Sequence, residues 1–347
     1  MPDRYWRIPI GIALHCGEDF CIFRKGNMMG EMTESNYLKV TEVMEEVKQV
    51  VIGKEDCVRK AMAAILAGGH ILIDDIPGVG KTTLAMAFSK AMALESKRIQ
   101  FTPDVLPSDI LGFSMYQKQT GQFQYQPGAV MCNLFLGDEI NRTSPKTQSA
   151  LLEVMEEGSA TVDGVTRSVP EPFIVIATEN PAGSVGTQLL PESQLDRFMI
   201  CMTIGYPSLE DEIAIAKGKG NGISVNDIPS VITGKELLMI RRDVEEVYLH
   251  DRVYRYIGQL VQATRENGWI ELGISPRGTI ALVRMAKAVA YMSQRDYVVP
   301  EDVESIFLDV SAHRIMMNAK ARVGHVTAEK VLREILDQID KPAAAKK

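Results

Sequence analysis

The run Ile71-Leu72-Ile73-Asp74-Asp75-Ile76-Pro77-Gly78-Val79-Gly80-Lys81-Thr82 constrains this chain more than any other stretch. It reads as a short apolar strand, a glycine-bearing loop, and a helix that opens at Lys81 and continues through Thr83-Leu84-Ala85-Met86-Ala87-Phe88. A loop in that setting turns successive backbone N–H groups inward and forms a nest for phosphate at a helix N-terminus. Gly78 and Gly80 supply backbone conformations that a side chain would forbid. Lys81 can reach the β- and γ-phosphates, and the Thr82 hydroxyl can hold Mg²⁺. Asp75 stands where the general pattern G-x-x-x-x-G-K-[ST] has its first glycine. The expected cradle for ATP is Asp75, Ile76, Pro77, Gly78, Val79, Gly80, Lys81, Thr82 and Thr83. A chance glycine turn would account for the glycines, but not for the strand before them and the helix after.

The same strand–helix alternation recurs downstream. Short apolar runs at 70–74, 97–101, 132–136, 173–178 and 198–204 are separated by helical patterns, which predicts a parallel five-stranded sheet flanked by helices. Upstream, Leu38, Val40, Val43, Met44 and Val47 fit one face of a helix, and a second helix is expected over 55–67. A helix over 145–157 should stop at Gly158. Two stretches break the rhythm. Residues 112–127 alternate aromatic and polar side chains, and 158–172 read as a hairpin around Asp163-Gly164. Beyond Tyr206-Pro207 the pattern turns helical: 209–217, 235–244, 251–266, 276–293, 301–317 and 328–339. This shift predicts an α/β core over 32–206 followed by an all-helical domain over 207–347.

At 347 residues, 46% of them hydrophobic, the chain is long enough for both units. A net charge of −7 argues against a dedicated nucleic-acid binder. No run is long enough to cross a membrane, and five cysteines without framework spacing point to a reducing, cytoplasmic setting. Cys16, Cys21 and His15 lie close together, but a zinc site needs four ligands, so stray cysteines are the reading. Residues 1–31 carry no usable periodicity. Met28, Met29 and Met32 crowd the point where it begins, so this segment is expected to be disordered or an over-extended start.

Further chemistry sits at the strand ends. Leu134-Phe135-Leu136-Gly137-Asp138-Glu139 delivers two carboxylates that period-two alternation sends in different directions. One can hold Mg²⁺ and the other can polarise an attacking water. The run Ile174-Val175-Ile176-Ala177-Thr178-Glu179-Asn180 ends at the sheet edge where ligands bind in open α/β folds, and Asn180 could orient the water. Arg197, just before the last strand, could clamp a transferring phosphate. In Ser275-Pro276-Arg277-Gly278 the serine suits an N-cap and the proline the first helical position. Arg277 then lies where the helix dipole disfavours a cation by about 0.3–1 kcal/mol, which hints at function. Surface acids and surface arginines are the plain alternatives at each of these positions.

Taken in order, these motifs resemble the MoxR-family AAA+ ATPases over most of the chain, roughly 37–339. The resemblance is carried by Pro77-Gly78-Val79-Gly80-Lys81-Thr82, Gln100-Phe101-Thr102-Pro103-Asp104, Asp138-Glu139-Ile140-Asn141-Arg142, Ala177-Thr178-Glu179-Asn180-Pro181, Gln194-Leu195-Asp196-Arg197-Phe198 and Ser275-Pro276-Arg277. It implies a P-loop AAA+ core with a helical lid domain. It assigns Lys81 and Thr82 to Walker A, Asp138 and Glu139 to Walker B, Asn180 to sensor one, Arg197 to the arginine finger and Arg277 to sensor two. It makes 112–127 the helix-two insert and 158–172 the pre-sensor hairpin. An acidic residue at Asp75 is common in the family, and Gly137 replaces a frequent alanine, which should be harmless. The family further implies a homo-oligomeric, most simply hexameric, ring that acts in a chaperone-like way on a protein client, often one with a von Willebrand A domain.

Three other functions compete: a nucleotide-operated scaffold with little turnover, the motor subunit of a metal chelatase, and a nucleic-acid motor. The acidic balance weighs against the last.

Overall fold

The computed structural model describes residues 31–76, 78–179, 190–217 and 224–342. The expectations for the N-terminal segment, for Cys16 and Cys21, and for Pro77 and Asn180 lie outside these residues.

In chain order the elements are α1 (Glu31–Val50), α2 (Glu55–Leu66), β1 (Ile71–Asp74), α3 (Lys81–Ala91), β2 (Ser96–Gln100), α4 (Pro107–Leu111), β3 (Gly112–Gln117), β4 (Gln122–Pro127), β5 (Leu134–Asp138), α5 (Pro145–Glu157), β6 (Ser159–Val162), β7 (Val165–Ser168), β8 (Ile174–Glu179), α6 (Glu192–Leu195) and β9 (Ile200–Met202). They are followed by α7 (Leu209–Ala216), α8 (Gly234–Glu245), α9 (Asp251–Glu266), β10 (Ile270–Leu272), α10 (Pro276–Met292), α11 (Pro300–Ser311), β11 (Met316–Met317), α12 (Ala319–Val323) and α13 (Ala328–Gln338).

The central sheet has the order β2-β5-β8-β1-β9, and every pairing in it is parallel. The inner strands β5, β8 and β1 are buried on both faces and read as apolar runs rather than alternations, whereas edge strand β2, Ser96–Gln100, is partly exposed and polar. One face, with Ile71, Ile73, Leu134, Leu136, Ile174 and Ile176, packs on α2, α3 and the helices beyond 206. The other face, with Leu72, Phe135, Val175 and Ala177, packs on α5 and Phe101. On α1, Val40, Val43 and Val47 are buried and Met44 packs beside them, whereas Leu38 is exposed. The 40, 43, 44, 47 spacing makes the stripe, and position 38 falls off it.

Both interruptions are antiparallel hairpins. β3 and β4 pair from Gly112↔Pro127 to Gln117↔Gln122, and β6 and β7 from Ser159↔Ser168 to Val162↔Val165. Asp163 and Gly164 both have positive φ, as a two-residue hairpin turn of the primed type requires. Arg167 of β7 stacks on Tyr125 of β4 at 4.0 Å and ties the hairpins together.

Three expectations need correction. β5 spans Leu134–Asp138, two residues later than predicted, so Asp138 belongs to the strand. The helix expected over 301–317 stops at Ser311. Met316–Met317 instead pairs antiparallel with Ile270–Leu272, so the C-terminal region is helical but not all-helical. The chain turns at Ala312–Arg314 because Arg314 is drawn into the interior to meet backbone carbonyls near β9.

Candidate functional site

The carboxyl ends of β1, β5 and β8 meet at one edge of the sheet, bringing Asp74, Asp138 and Glu179 together. The loop between β1 and α3 carries Gly78 at φ 88° and Gly80 at φ 94°. A Cβ would meet nothing within 4 Å at either position, so glycine is required there for backbone conformation rather than for space. Gly80 is the N-cap of α3, which aims the helix N-terminus into a cleft of about 340 Å³. Gly78, Gly80, Lys81, Thr82 and Thr83 line this cleft from one side, and Arg98, Gln100, Asp138, Glu139 and Thr178 from the other.

Lys81 is buried, and its ammonium donates to the carbonyl of Asp75 and, at 2.9 Å, to that of Glu179. Burial pulls its pKa down, against the attraction of Asp75, Asp74, Asp138 and Glu139. Burial also pushes the Glu179 carboxyl up to about 7, helped by the neighbouring Asp74, whose own carboxyl is raised by burial. The Asp75 side chain turns away from the cleft. Its Oδ2 accepts from the backbone N–H groups of Ile204 and Gly205, both at 2.6 Å, and Oδ1 accepts from that of Ile76 at 2.8 Å. Asp75 does not line the cleft: its carbonyl holds Lys81, its N–H donates to Glu179 O at 3.3 Å, and its carboxylate anchors the loop to the chain leaving β9.

Asp138 is buried and accepts from Arg98 Nε at 2.6 Å. Glu139 follows in the left-handed region, φ 59° and ψ 50°, an uncommon place for a residue with a side chain and one that collects at functional sites. Its N–H donates to Thr178 Oγ1 at 2.9 Å, and its carboxylate pairs with Arg142 at 2.7 Å. Thr178 also reaches toward Asp138 Oδ1 at 3.5 Å. The Thr82 hydroxyl and the Asp138 carboxylate offer hard oxygen donors on facing walls of the cleft, the donor chemistry that Mg²⁺ prefers. Gly137 lies under an aromatic ring; a Cβ there would come within 2.9 Å of Phe101 Cε2.

Arg98 and Thr178 were missed by sequence reasoning. A threonine inside an otherwise apolar buried strand was the available signal for Thr178. Arg98 gave none until β2 was known to lie beside β5.

Arg197 and Arg277 are not in this cleft. They line a second pocket of about 190 Å³ at the opposite edge of the sheet, with His70, Glu156, Asp196 and Arg314. Met199 N–H donates to His70 O at 2.8 Å, which fixes the segment carrying Arg197 beside the start of β1. β1 is four residues long, so the two sites lie about 13 Å apart along the strand at roughly 3.3 Å per residue. Arg197 pairs with Glu156 at 3.0 Å, and Arg277 pairs with the other oxygen of the same carboxylate. Ser275 caps α10 by accepting from Gly278 N–H at 3.2 Å, and its hydroxyl donates to Asp196 at 2.8 Å. Gly278 leaves room for Arg314, whose Cδ a Cβ would meet at 2.9 Å.

Among the described residues, no helix is long and apolar enough to cross a membrane.

Residues 70–200 match the model of the ATPase family associated with various cellular activities (AAA), and residues 262–335 match that of the AAA lid domain. The uncharacterized protein YeaC of Bacillus subtilis is 44% identical over 301 residues, which cover 87% of this chain and 94% of that protein. Chaperone MoxR1 of Mycobacterium tuberculosis is 34% identical over 306 residues, covering 86% and 81%. A crystal structure from Cytophaga hutchinsonii, described as an ATPase candidate, superposes with a TM-score of 0.83 at 35% identity, over 90% of this chain and 97% of that one. With the phosphate-loop cleft, the parallel sheet and the lid in place, these likenesses make the chain a member of the MoxR family of AAA+ ATPases.

Proposed function

We propose that this protein hydrolyses ATP within a homo-oligomeric ring, most simply a hexamer, and uses the cycle to remodel a protein client in a chaperone-like manner. The observation that carries this reading is the separation of the two sites. The phosphate loop and acids occupy one edge of the sheet, and Arg197 and Arg277 occupy the other. The length of β1 lies between them, so a nucleotide seated at the loop does not present its phosphates to Arg197 or Arg277 of its own chain. A ring in which each arginine edge faces the next subunit's cleft satisfies both sets of residues.

In this reading 32–206 form the ATPase core and 207–347 the lid. The loop amides, Lys81 and Thr83 hold the phosphates, and Thr82 and Asp138 hold Mg²⁺, which neutralises developing phosphate charge when bound. Glu139 polarises the attacking water, and Asn180 orients it. Arg197 stabilises charge that develops in the transition state, so it adds little to ground-state binding. The exposed aromatics of the β3–β4 hairpin, Phe113, Tyr116 and Phe123, offer an apolar surface suited to a protein client. A protein with a von Willebrand A domain is the client that the family resemblance suggests, and a cytoplasmic location suits the unpaired thiols of Cys57, Cys132 and Cys201.

Subunit mixing tests the ring. Arg197→Ala and Lys81→Ala proteins should each be inactive alone. A mixture restores interfaces where an intact loop meets an intact arginine, so activity should return. No recovery despite demonstrated subunit exchange would rule out action between subunits.

A further inference from the structure

Arg197 and Arg277 come from distant parts of the chain, the segment before β9 and the first turn of α10, yet both end on Glu156 in the last turn of α5. Four arginines line this pocket, Arg197, Arg277, Arg284 and Arg314, against two carboxylates, Glu156 and Asp196. Asp196 is engaged elsewhere, accepting from Arg314 Nε at 2.9 Å and from Ser275 Oγ at 2.8 Å. Glu156 is therefore the carboxylate that neutralises Arg197 and Arg277. Arg197 Nε is buried without a partner among the described residues, so the orientation of that guanidinium depends on its contact with Glu156.

The position of Glu156 is itself fixed from beneath. The carbonyl of the preceding residue, Met155, accepts from His70 Nε2 at 3.1 Å, and His70 Nδ1 accepts from Val175 N–H at 3.0 Å. The carboxylate thus stands on a buried histidine that joins α5 to β1 and β8.

We propose that Glu156 is a positioning residue: it holds Arg197 of the core and Arg277 of the lid as one pair, directed at the nucleotide of the adjoining subunit. The direction of action rests on the ring reading above; the clasp itself does not. Two guanidiniums held side by side repel, and a shared carboxylate removes that cost. Their rotamer entropy is then lost within the subunit, before the neighbour's phosphate arrives to take over the contacts. A half-exposed ion pair contributes little to folding stability, so losing this one should be felt in turnover and not in melting.

Glu156→Gln in the full chain is the test. Its melting temperature and KM for ATP should match the parent, while kcat falls about tenfold, as small misplacements of catalytic groups cause. Amide exchange should quicken together at 196–198 and at the start of α10. On mixing, Glu156→Gln subunits should regain activity with Lys81→Ala subunits but not with Arg197→Ala subunits, because the defect lies on the arginine side. Parental or raised kcat, a melting temperature that falls in step with kcat, or recovery with Arg197→Ala would each overturn the proposal. If Arg197→Ala and Lys81→Ala themselves fail to complement, the ring reading fails separately. Exchange then decides the clasp, and unchanged exchange at both segments would refute it.

Discussion

Arg98 of β2 donates its Nε to Asp138 of β5 at 2.6 Å, placing a half-exposed cation against a buried acid on the wall of the cleft at the N-terminus of α3. Without it Asp138 would keep only the attraction of Lys81 across the cleft and the nearby Thr178 hydroxyl, with no hydrogen-bonded cation against a buried acid. Solvent around Arg98 screens part of the effect. Arg98→Gln should therefore cost about 1–2 kcal/mol of stability in the absence of nucleotide, and nearly nothing when Asp138 is already Asn. Denaturant unfolding of the four proteins gives the coupling; strictly additive losses would show that the pair is incidental.

Glu139→Gln should bind ATP as the parent does and hydrolyse it about 10²- to 10⁴-fold more slowly, the span of general-base effects. Lys81→Ala should lose binding instead, since its ammonium stands in the loop itself. Nucleotide affinity and single-turnover rates separate the two outcomes. Parental turnover in Glu139→Gln would take the residue out of that role.

His70 is held neutral, its pKa pulled to about 4 by burial. Protonation therefore favours the unfolded chain, and stability should fall as pH drops from about 6.5 toward 4. His70→Leu removes that slope but leaves Val175 N–H and Met155 O unpaired, costing about 1–3 kcal/mol near neutral pH. The remaining acid sensitivity should come in part from His313, which is also buried and held well below its ordinary value. Melting curves from pH 4 to 8 check this; equal acid slopes in parent and variant would contradict it.

Glu179 has the opposite sign. Its carboxyl is raised to about 7, so its contribution is fully present below about 4.5 and is lost as pH climbs through 7. Glu179→Gln should stabilise the protein at pH 8, by at most about 3 kcal/mol, and leave it unchanged at pH 4. Equal melting temperatures at pH 8 would mean that Glu179 ionises without penalty.

What was legible in the sequence was local. The loop after β1, the Asp163-Gly164 turn and the bounds of α5 and α9 follow from residues a few positions apart. The missed features are set by distant neighbours. Arg98 finds Asp138 across 40 residues, Thr178 meets Glu139 across 39, and Arg277 meets Glu156 across 121. No periodicity within one element records such pairings. The stop of α11 at Ser311 is of the same kind, since the helix yields to the burial of Arg314.

Arg314 belongs to the region beyond α11, yet it donates to the carbonyls of Phe198 and Met199 and pairs with Asp196, the residues on either side of Arg197. The segment carrying Arg197 is thus bolted from behind to the region beyond α11. Under the ring proposed above, a substitution there that loosens this bolt should surface as a hydrolysis defect in the adjoining subunit, with both the cleft beside α3 and the sequence around Arg197 intact. Genetic lesions far from either site would then look catalytic, and their rescue would come from tightening the lid rather than from repairing the chemistry.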